Sequence, residues 1–374
     1  MLCFIESLIN FIKFTKIKKE DREFVFYSES KFYRDHFIDL ILNLKKLGNK
    51  KIILITSDKD DYDHFKNILT CFYIKNHFLL IIFFKVLECK FMIMTLAGLG
   101  NPLQKSKFCK YYVYFFHGIA STHQFYTKSA FDNYDIVFVN GEYQSKELKL
   151  IEKKYDLPKK EIVKSGYFYF DHIKNKANLN NKKKKNILFA PSWNYNRKNL
   201  FDDYSIDIIN LLISNDFNLT LRPHPEHFKR SSSLIKKIKK LFLENKNFTL
   251  DNTLSNLQSL EKSEILITDN SSIVFEFMLI FKRPIVYIDY KDKIHNTHSD
   301  ELNIQTIDKE FKNSFGNILD ILNLQKLPSL CENLINQNNV PIDKVNLFTE
   351  KYLSNLNNSA KFAAEYLMDK SKNE

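Results

Sequence analysis

Glycine is scarce in this chain. There are seven in 374 residues: Gly48, Gly98, Gly100, Gly118, Gly141, Gly166 and Gly316. No GxGxxG and no GxxxxGK[ST] occurs, which argues against a dinucleotide-binding or P-loop enzyme. The glycines that remain mark places where a side chain is unwelcome. Cysteine is also sparse. The five, Cys3, Cys71, Cys89, Cys109 and Cys331, form no CxxC pair and no disulfide framework, so a reducing cytoplasm is expected. Long uninterrupted apolar runs are missing too. The most apolar stretch, 77–94, is broken by Lys85, Glu88 and Lys90 before it reaches the roughly 20 residues of a membrane span. It reads as a buried helix or strand followed by a strand, KFMIMTL. No cleavable signal peptide is evident.

Bulk and charge are plentiful. Hydrophobic residues make up 44% and charged residues 27%, with 34 Phe and 19 Tyr, which suits a globular chain of two domains. The formal net charge is +12 and the pI about 9.1. Such a balance favours phosphorylated ligands, an anionic membrane surface or nucleic acid; a Lys- and Asn-rich composition accounts for it equally. No helix-turn-helix, zinc-finger or RNA-binding signature appears, so nucleic acid is not expected. The N-terminal MLCFIESLINFIKFTKIKKE has an apolar stripe followed by basic residues. It reads as a packed first helix, with a helix lying on a membrane surface as the alternative.

The pattern then alternates. EFVFYSES, KKIILITS, KFMIMTL, KYYVYFFHG, DIVFVNG and EIVKSGYF read as strands separated by helical segments. A polar stretch, KNKANLNNKKKK (174–185), reads as a linker. NILFAPSW, FNLTLRPHP, EILITDNSS and RPIVYID then resume the alternation, the last as the final strand, and the tail from Pro341 reads as one or two helices. Continuous apolar strands separated by helices predict parallel sheets covered on both faces. The expected fold class is α/β, with two Rossmann-like parallel-sheet domains, 1–175 and 176–374, facing a cleft. In such sheets ligands bind beyond the carboxyl ends of the strands. At those ends stand Gly98-Leu99-Gly100, His117-Gly118, Asn140-Gly141, Ser192-Trp193, Arg222-Pro223-His224-Pro225 and Asp269-Asn270-Ser271-Ser272.

Each of these has two readings. His117 can take a proton from a hydroxyl near neutral pH, with Gly118 letting the chain turn and a substrate come close; or it is a strand-end histidine bonded to a neighbour. His123 reads as a loop residue. In LRPHPEHF, Arg222 and His224 suit a diphosphate, a planar fork beside a donor; or they form a proline-stiffened turn with a solvated arginine. His224 and His227 raise zinc, but Pro225 breaks the spacing and no carboxylate or cysteine motif completes a site, so no metal is expected. In TDNSSIVFEF, Asp269, Ser271 and Ser272 open a helix, either as caps or as a phosphate site. Glu276 lies one turn on, for ribose hydroxyls or as a surface carboxylate. Trp193 stacks on a base, walls the site or packs in the core. The acidic run SDKDDYDHF reads as a loop and helix start.

HG, APSW, RPHP and TDNSS, in this order across two α/β halves, resemble the CDP-glycerol glycerophosphotransferase family of teichoic-acid primases, polymerases and capsule-associated relatives. The resemblance runs from Phe91 to Asp289 and includes MIMTLAGLGNPLQKSK and VKSGYFYFDHI. It implies a GT-B fold and metal-independent transfer without a cofactor, with an acceptor-side domain 1–175 and a donor domain 176–374. It implies His117 as the base, and Arg222, His224, Ser271 and Ser272 around the CDP-linked diphosphate, with Asp269 and Glu276 nearby. Gly118, Ser192 and Trp193 complete the expected substrate contacts. The implied partners are a CDP-activated polyol phosphate and a glycan or lipid-linked acceptor, for a cytoplasmic protein at the inner membrane face. Asn270 departs from the aromatic residue frequent there in the family. The rival readings are a GT-B glycosyltransferase using a CMP- or UDP-sugar in capsule synthesis, a non-catalytic glycan-precursor binding protein, and a zinc hydrolase built on His224 and His227.

Overall fold

The computed structural model describes residues 2–48, 51–194, 199–291, 296, 298–337 and 340–373. Among these residues the chain forms two parallel sheets in two compact units. The first unit holds Met1–His172 and Tyr352–Glu374, the second Ile173–Lys351.

In the first unit, β1 (Phe24–Ser28), β2 (Ile52–Thr56), β3 (Thr70–Tyr73), β4 (Cys89–Met94), β5 (Cys109–Phe115), β6 (Ile136–Val139) and β7 (Glu161–Lys164) lie in the order β3-β2-β1-β4-β5-β6-β7. Every neighbouring pair is parallel. The winding reverses between β1 and β4, where a doubly wound sheet opens a crevice at its carboxyl edge. Alternate residues of each strand face opposite sides. Phe24 and Phe26 therefore join one core with Phe37, Leu40, Phe91 and Phe115, while Val25 and Tyr27 join another with Phe14, Phe83, Met92 and Tyr114. The ambiguous apolar stretch resolves as a helix, His77–Val86. The Asn76 side chain caps it by accepting from the Leu79 N–H at 3.1 Å, and Leu79, Leu80, Phe83 and Phe84 line its buried face. The first helix, Leu2–Thr15, packs on it through Phe11 and Phe14, edge-on to Phe83.

The second unit repeats the scheme. β8 (Asn186–Phe189), β9 (Asn218–Leu221), β10 (Phe248–Leu250), β11 (Ile265–Thr268), β12 (Ile285–Asp289) and β13 (Gly316–Asp320) run parallel in the order β10-β9-β8-β11-β12-β13. Its winding reverses beside β8.

The structure departs from the sequence reading in three places. β3, β10 and β13 were not expected, and β12 (RPIVYID) is followed by another strand. All three lie at sheet edges, where one flank is unpaired and an apolar run is not required. The stretch 174–185 is not a plain linker. The helix Phe168–Lys176 runs into it, and Asn178 and Asn181 donate to the Glu261 carboxylate at 2.8 and 3.1 Å. Finally, residues 352–374 belong with the first unit, not with a 176–374 domain. The helix Ser359–Lys372 buries Ala360, Ala363, Ala364 and Leu367 beside Phe37 and Leu40. Asp171 holds its start, accepting from the Asn357 N–H at 2.8 Å, the Ser359 N–H at 2.9 Å and the Ser359 hydroxyl at 2.5 Å. The returning chain passes so close to the strand ends that a Cβ on Gly166, whose φ is +91°, would stand 2.3 Å from the Ser354 carbonyl oxygen.

Candidate active site

In the first unit the site begins with His117, two residues beyond β5. Its Nδ1 lies 2.6 Å from the Thr95 hydroxyl, just past the adjacent strand β4. Thr95 also bonds Tyr114, whose hydroxyl donates to Tyr126 at 3.5 Å. The Thr95 hydroxyl can accept from His117 Nδ1–H, and in that tautomer Nε2 is the basic nitrogen. Tyr33 meets the imidazole edge-on at 5.0 Å, and His36 crosses it at 6.1 Å. His36 is itself stacked on Tyr169 at 4.2 Å. The Tyr167 hydroxyl donates to the His117 carbonyl at 3.2 Å, and Asn140 donates to the Gly118 carbonyl at 2.9 Å. Burial lowers the His117 pKa to about 4, so the ring is neutral at pH 7. Burial, then the neighbouring imidazoles His117 and His172, also push His36 well below the ordinary histidine range. This neutral aromatic cage suits a base, and an anionic substrate arriving beside it would raise its proton affinity. His123 is not a loop residue: it is buried in the short helix Thr122–Phe125, with Nδ1 3.4 Å from the Glu147 carboxylate.

In the second unit the expected residues gather at the carboxyl ends of β8, β9 and β11, in two sets. Ser192, Asp269 and Arg222 frame the site. Asp269 is buried, accepting from the Ser192 N–H at 2.6 Å and the Ser192 hydroxyl at 2.8 Å. This ties the β8 end to the β11 end and uses both groups that Ser192 has to donate. Arg222, expected as a phosphate ligand or a solvated side chain, is largely buried among partners of its own. Its guanidinium donates to Asp251 at 2.6 Å, to the Thr253 hydroxyl at 3.3 Å, and to the Thr253 and Leu254 carbonyls at 3.0 and 3.1 Å. Four of five N–H groups are thus committed to the 251–254 loop. Burial opposes the Asp251 charge. The Arg222 guanidinium and bonds from Ser259 and Thr253 outweigh it and hold Asp251 below the usual carboxylate range.

The other set presents donors. Ser271 and Ser272 are half-buried at the start of the helical stretch that runs from Ile273–Glu276 into a π-helical turn, Phe277–Phe281. Neither hydroxyl caps the helix; the helical N–H groups of Val274 and Phe275 bond the serine carbonyls instead, at 3.4 and 3.1 Å. The capping explanation for these serines therefore falls away. His224 is exposed, and its Nδ1 accepts from the Glu226 N–H at 3.2 Å. In the neutral ring Nε2 then carries the proton and can donate. Trp193 is buried, with its ring stacked on His224 at 6.1 Å and the Arg230 guanidinium 5.3 Å over it. His227 is fully buried and donates from Nε2 to the Ser192 carbonyl at 3.2 Å. It serves the Ser192 frame, and among the described residues no group of three or more His, Cys, Asp or Glu side chains is placed to hold a metal ion. Glu276 is 3% exposed, hence no surface carboxylate.

Thr95, Tyr114, Tyr33 and His36 escaped the sequence reading. Only contact across neighbouring strands and loops brings them to His117. A polar Thr95 closing the apolar run of β4 was the one available signal.

The CDP-Glycerol:Poly(glycerophosphate) glycerophosphotransferase family matches residues 109–353, well over half the chain. Among solved structures, the wall teichoic acid polymerase TagF is similar over 99% of this chain and 98% of its own, with TM-score 0.62 and 16% identity. A putative UDP-N-acetylglucosamine 2-epimerase from Listeria monocytogenes covers 94% of this chain and 96% of its own, with TM-score 0.61 and 12% identity. A glycosyltransferase from Rickettsia africae follows with TM-score 0.53 and 12% identity, over 94% of this chain and all of its own. At these identities the structural likenesses establish the GT-B-like fold. No curated protein matches by sequence. By the family match, with the strand-end constellation in place, this chain belongs to the CDP-glycerol:poly(glycerophosphate) glycerophosphotransferases and is a transferase of glycerol phosphate from CDP-glycerol to a glycan acceptor.

Proposed function

We propose that His117 is the general base and that His224, Ser271 and Ser272 hold the diphosphate of the donor. The observation that carries the first assignment is the 2.6 Å bond from Thr95 to His117 Nδ1 in a neutral, half-buried ring. The acceptor hydroxyl gives its proton to His117 Nε2 as its oxygen attacks the phosphorus that bears glycerol. The new P–O bond forms, the bridging P–O bond to the cytidine-bearing phosphate breaks, and CMP leaves with that bond's electron pair. Charge building on the phosphate oxygens is met by the two serine hydroxyls and His224 Nε2–H, groups already in place before reaction. Trp193 offers a flat wall behind His224, and Glu276 lies one turn beyond Ser272. Asp269 and Ser192 tie the β8 and β11 ends together, and Arg222 ties the β9 end to the loop after β10.

The reading places the protein on the cytoplasmic side, in keeping with five unpaired thiols, and against an anionic membrane surface. Helix Leu2–Thr15 buries Phe14 yet exposes Phe4, Ile5, Ile9 and Ile12, and Lys13, Lys16, Lys18 and Lys19 follow. An apolar face beside a basic run suits an interfacial helix. Among the described residues no helix is long and apolar enough to cross a membrane.

Calorimetric titration of CDP-glycerol tests the donor site. Replacing Ser271 and Ser272 with alanine together should weaken binding about tenfold or more, from two hydrogen bonds at about 1 kcal/mol each. Undiminished binding would remove the serines from the donor site. A wild-type protein that binds a CMP- or UDP-sugar in place of CDP-glycerol would favour the glycosyltransferase reading.

A further inference from the structure

Gly98-Leu99-Gly100 stands at a strand end, and the donor and base assignments leave it unused. Its first residue, Gly98, joins Leu96, Ala97, Asn101, Pro102 and Leu103 in one wall of a cavity of about 290 Å³ inside the first unit, near the lower end of the range of small-ligand sites. The other walls come from the carboxyl ends of β1 (Tyr27, Glu29), β2 (Ser57) and β3 (Lys75, His77). The cavity therefore sits at the β1/β4 reversal, where a doubly wound sheet receives its ligand. Its glycine wall is braced from outside. The Gly98 N–H donates to the Ala130 carbonyl at 2.8 Å, Asn133 to the Leu99 carbonyl at 2.6 Å, and the Tyr134 hydroxyl to the Leu96 carbonyl. Gly98 and Gly100 have φ of +80° and +120°, and a Cβ on Gly100 would stand 2.4 Å from the Asn133 amide. Gly98 thus turns the wall itself, and Gly100 the loop just behind it, through backbone angles that glycine adopts most readily.

The lining has a definite chemistry. Tyr27 donates to the Ser57 hydroxyl at 3.0 Å, and Ser57 donates to the Ile74 carbonyl at 2.8 Å, so this pair is a fixed polar floor. Lys75 and His77 are exposed at the rim, and among the described residues no ion pair engages the Lys75 ammonium. Leu80 and Leu103 are the apolar part. Glu29 adds an exposed carboxylate, an acceptor for hydroxyl groups, so that a cation, an imidazole, a carboxylate, hydroxyls and a short apolar surface line the cavity, a set that suits a polyol with its phosphate at the Lys75 side. The wall residues Leu96 and Ala97 directly follow Thr95, which holds His117.

We infer that this cavity is an acceptor subsite. It takes the phosphodiester next to the acceptor's terminal hydroxyl, with Lys75 as its main cationic contact, and so leads that hydroxyl along the β4 loop toward His117. The inference rests on the base assignment above and adds recognition of acceptor phosphate to it.

The test is calorimetric titration of the full-length protein with a synthetic phosphodiester-linked glycerol phosphate trimer, donor absent. Lys75→Ala, an exposed substitution, should weaken trimer binding about tenfold, the scale of one charge-assisted hydrogen bond. It should leave CDP-glycerol binding unchanged, and Lys75→Arg should restore most of the loss. A lipid-anchored trimer should depend on Lys75 to the same degree as the soluble one. Equal trimer affinity in wild type and Lys75→Ala would overturn the inference, as would no trimer binding by wild type or binding confined to the lipid-anchored form. CDP-glycerol turnover in the same preparations reports on the base and donor assignments separately. Full turnover with a Lys75-independent acceptor would sink the subsite alone.

Discussion

At the residue scale, Thr95 is the hydrogen-bond partner of His117 Nδ1, and its effect on the proposed base is open to a specific test. Thr95→Val removes the hydroxyl at nearly constant shape. The imidazole then loses the bond that places its proton on Nδ1. We expect kcat to fall about tenfold, while Thr95→Ser restores it, because the loss is of tautomer and orientation and not of packing. A valine variant with wild-type kcat would show that the bond is incidental. The same histidine leaves a trace in stability. Its folded pKa of about 4 lies below the ordinary 6.5, so the unfolded chain binds the proton first as the pH falls. Stability from this group is complete above pH 6.5 and declines between pH 6.5 and 4. Replacing His117 with Asn should flatten that part of the stability profile, measured by urea unfolding at several pH values. Arg222 behaves differently. With its guanidinium committed to Asp251 and the 251–254 loop, Arg222→Ala should cost about 3 kcal/mol of folding stability by leaving a buried carboxylate unpaired. Lysine should rescue little, because it lacks the planar fork. Loss of donor affinity with unchanged unfolding would return Arg222 to the phosphate.

At the element scale, the final helix completes the fold of the first unit although it lies at the far end of the chain. Gly166 and Asp171 are the fittings that receive it. Gly166→Ala forces a side chain into a left-handed position beside the Ser354 carbonyl, and should destabilise by about 2 kcal/mol or more. Leu347→Ala, at a residue 67% exposed, should change stability by less than about 0.5 kcal/mol. Urea denaturation of the two variants checks this ranking. This element also shows what the sequence could and could not disclose. The central strands were legible, because burial on both faces demands unbroken apolar runs such as IILIT and ILIT. Of the four edge strands only β7, EIVK, was read; TCFY, FTL and GNILD carry no such demand and were not. Nothing local in SAKFAAEYLMDKSK says which unit its small buried face will meet. The same distinction holds in the site. The strand-end positions of His117, His224, Ser271 and Ser272 were legible because these residues follow apolar strands. The ties of Ser192 to Asp269, 77 residues apart, and of Arg222 to Asp251, 29 apart, arise from strand order, which composition and periodicity do not encode.

At the scale of the whole molecule, each sheet carries polar residues at its carboxyl edge, the first His117 among aromatic rings, the second Ser271, Ser272 and His224. The +12 net charge adds a general attraction for phosphate-bearing ligands that salt should weaken, whereas the hydrogen bonds proposed for the serines and His224 would be short-ranged and less screened. Transfer and binding can therefore be separated. The most direct measurement follows release of CMP from CDP-glycerol in the presence of a glycerol phosphate acceptor, alongside calorimetric binding of CDP-glycerol, for the wild type and for His117→Asn. If His117 is the base, the variant binds donor as the wild type does but turns over at least about a hundredfold more slowly, the low end of what a general base contributes. A variant that turns over at the wild-type rate would contradict the assignment.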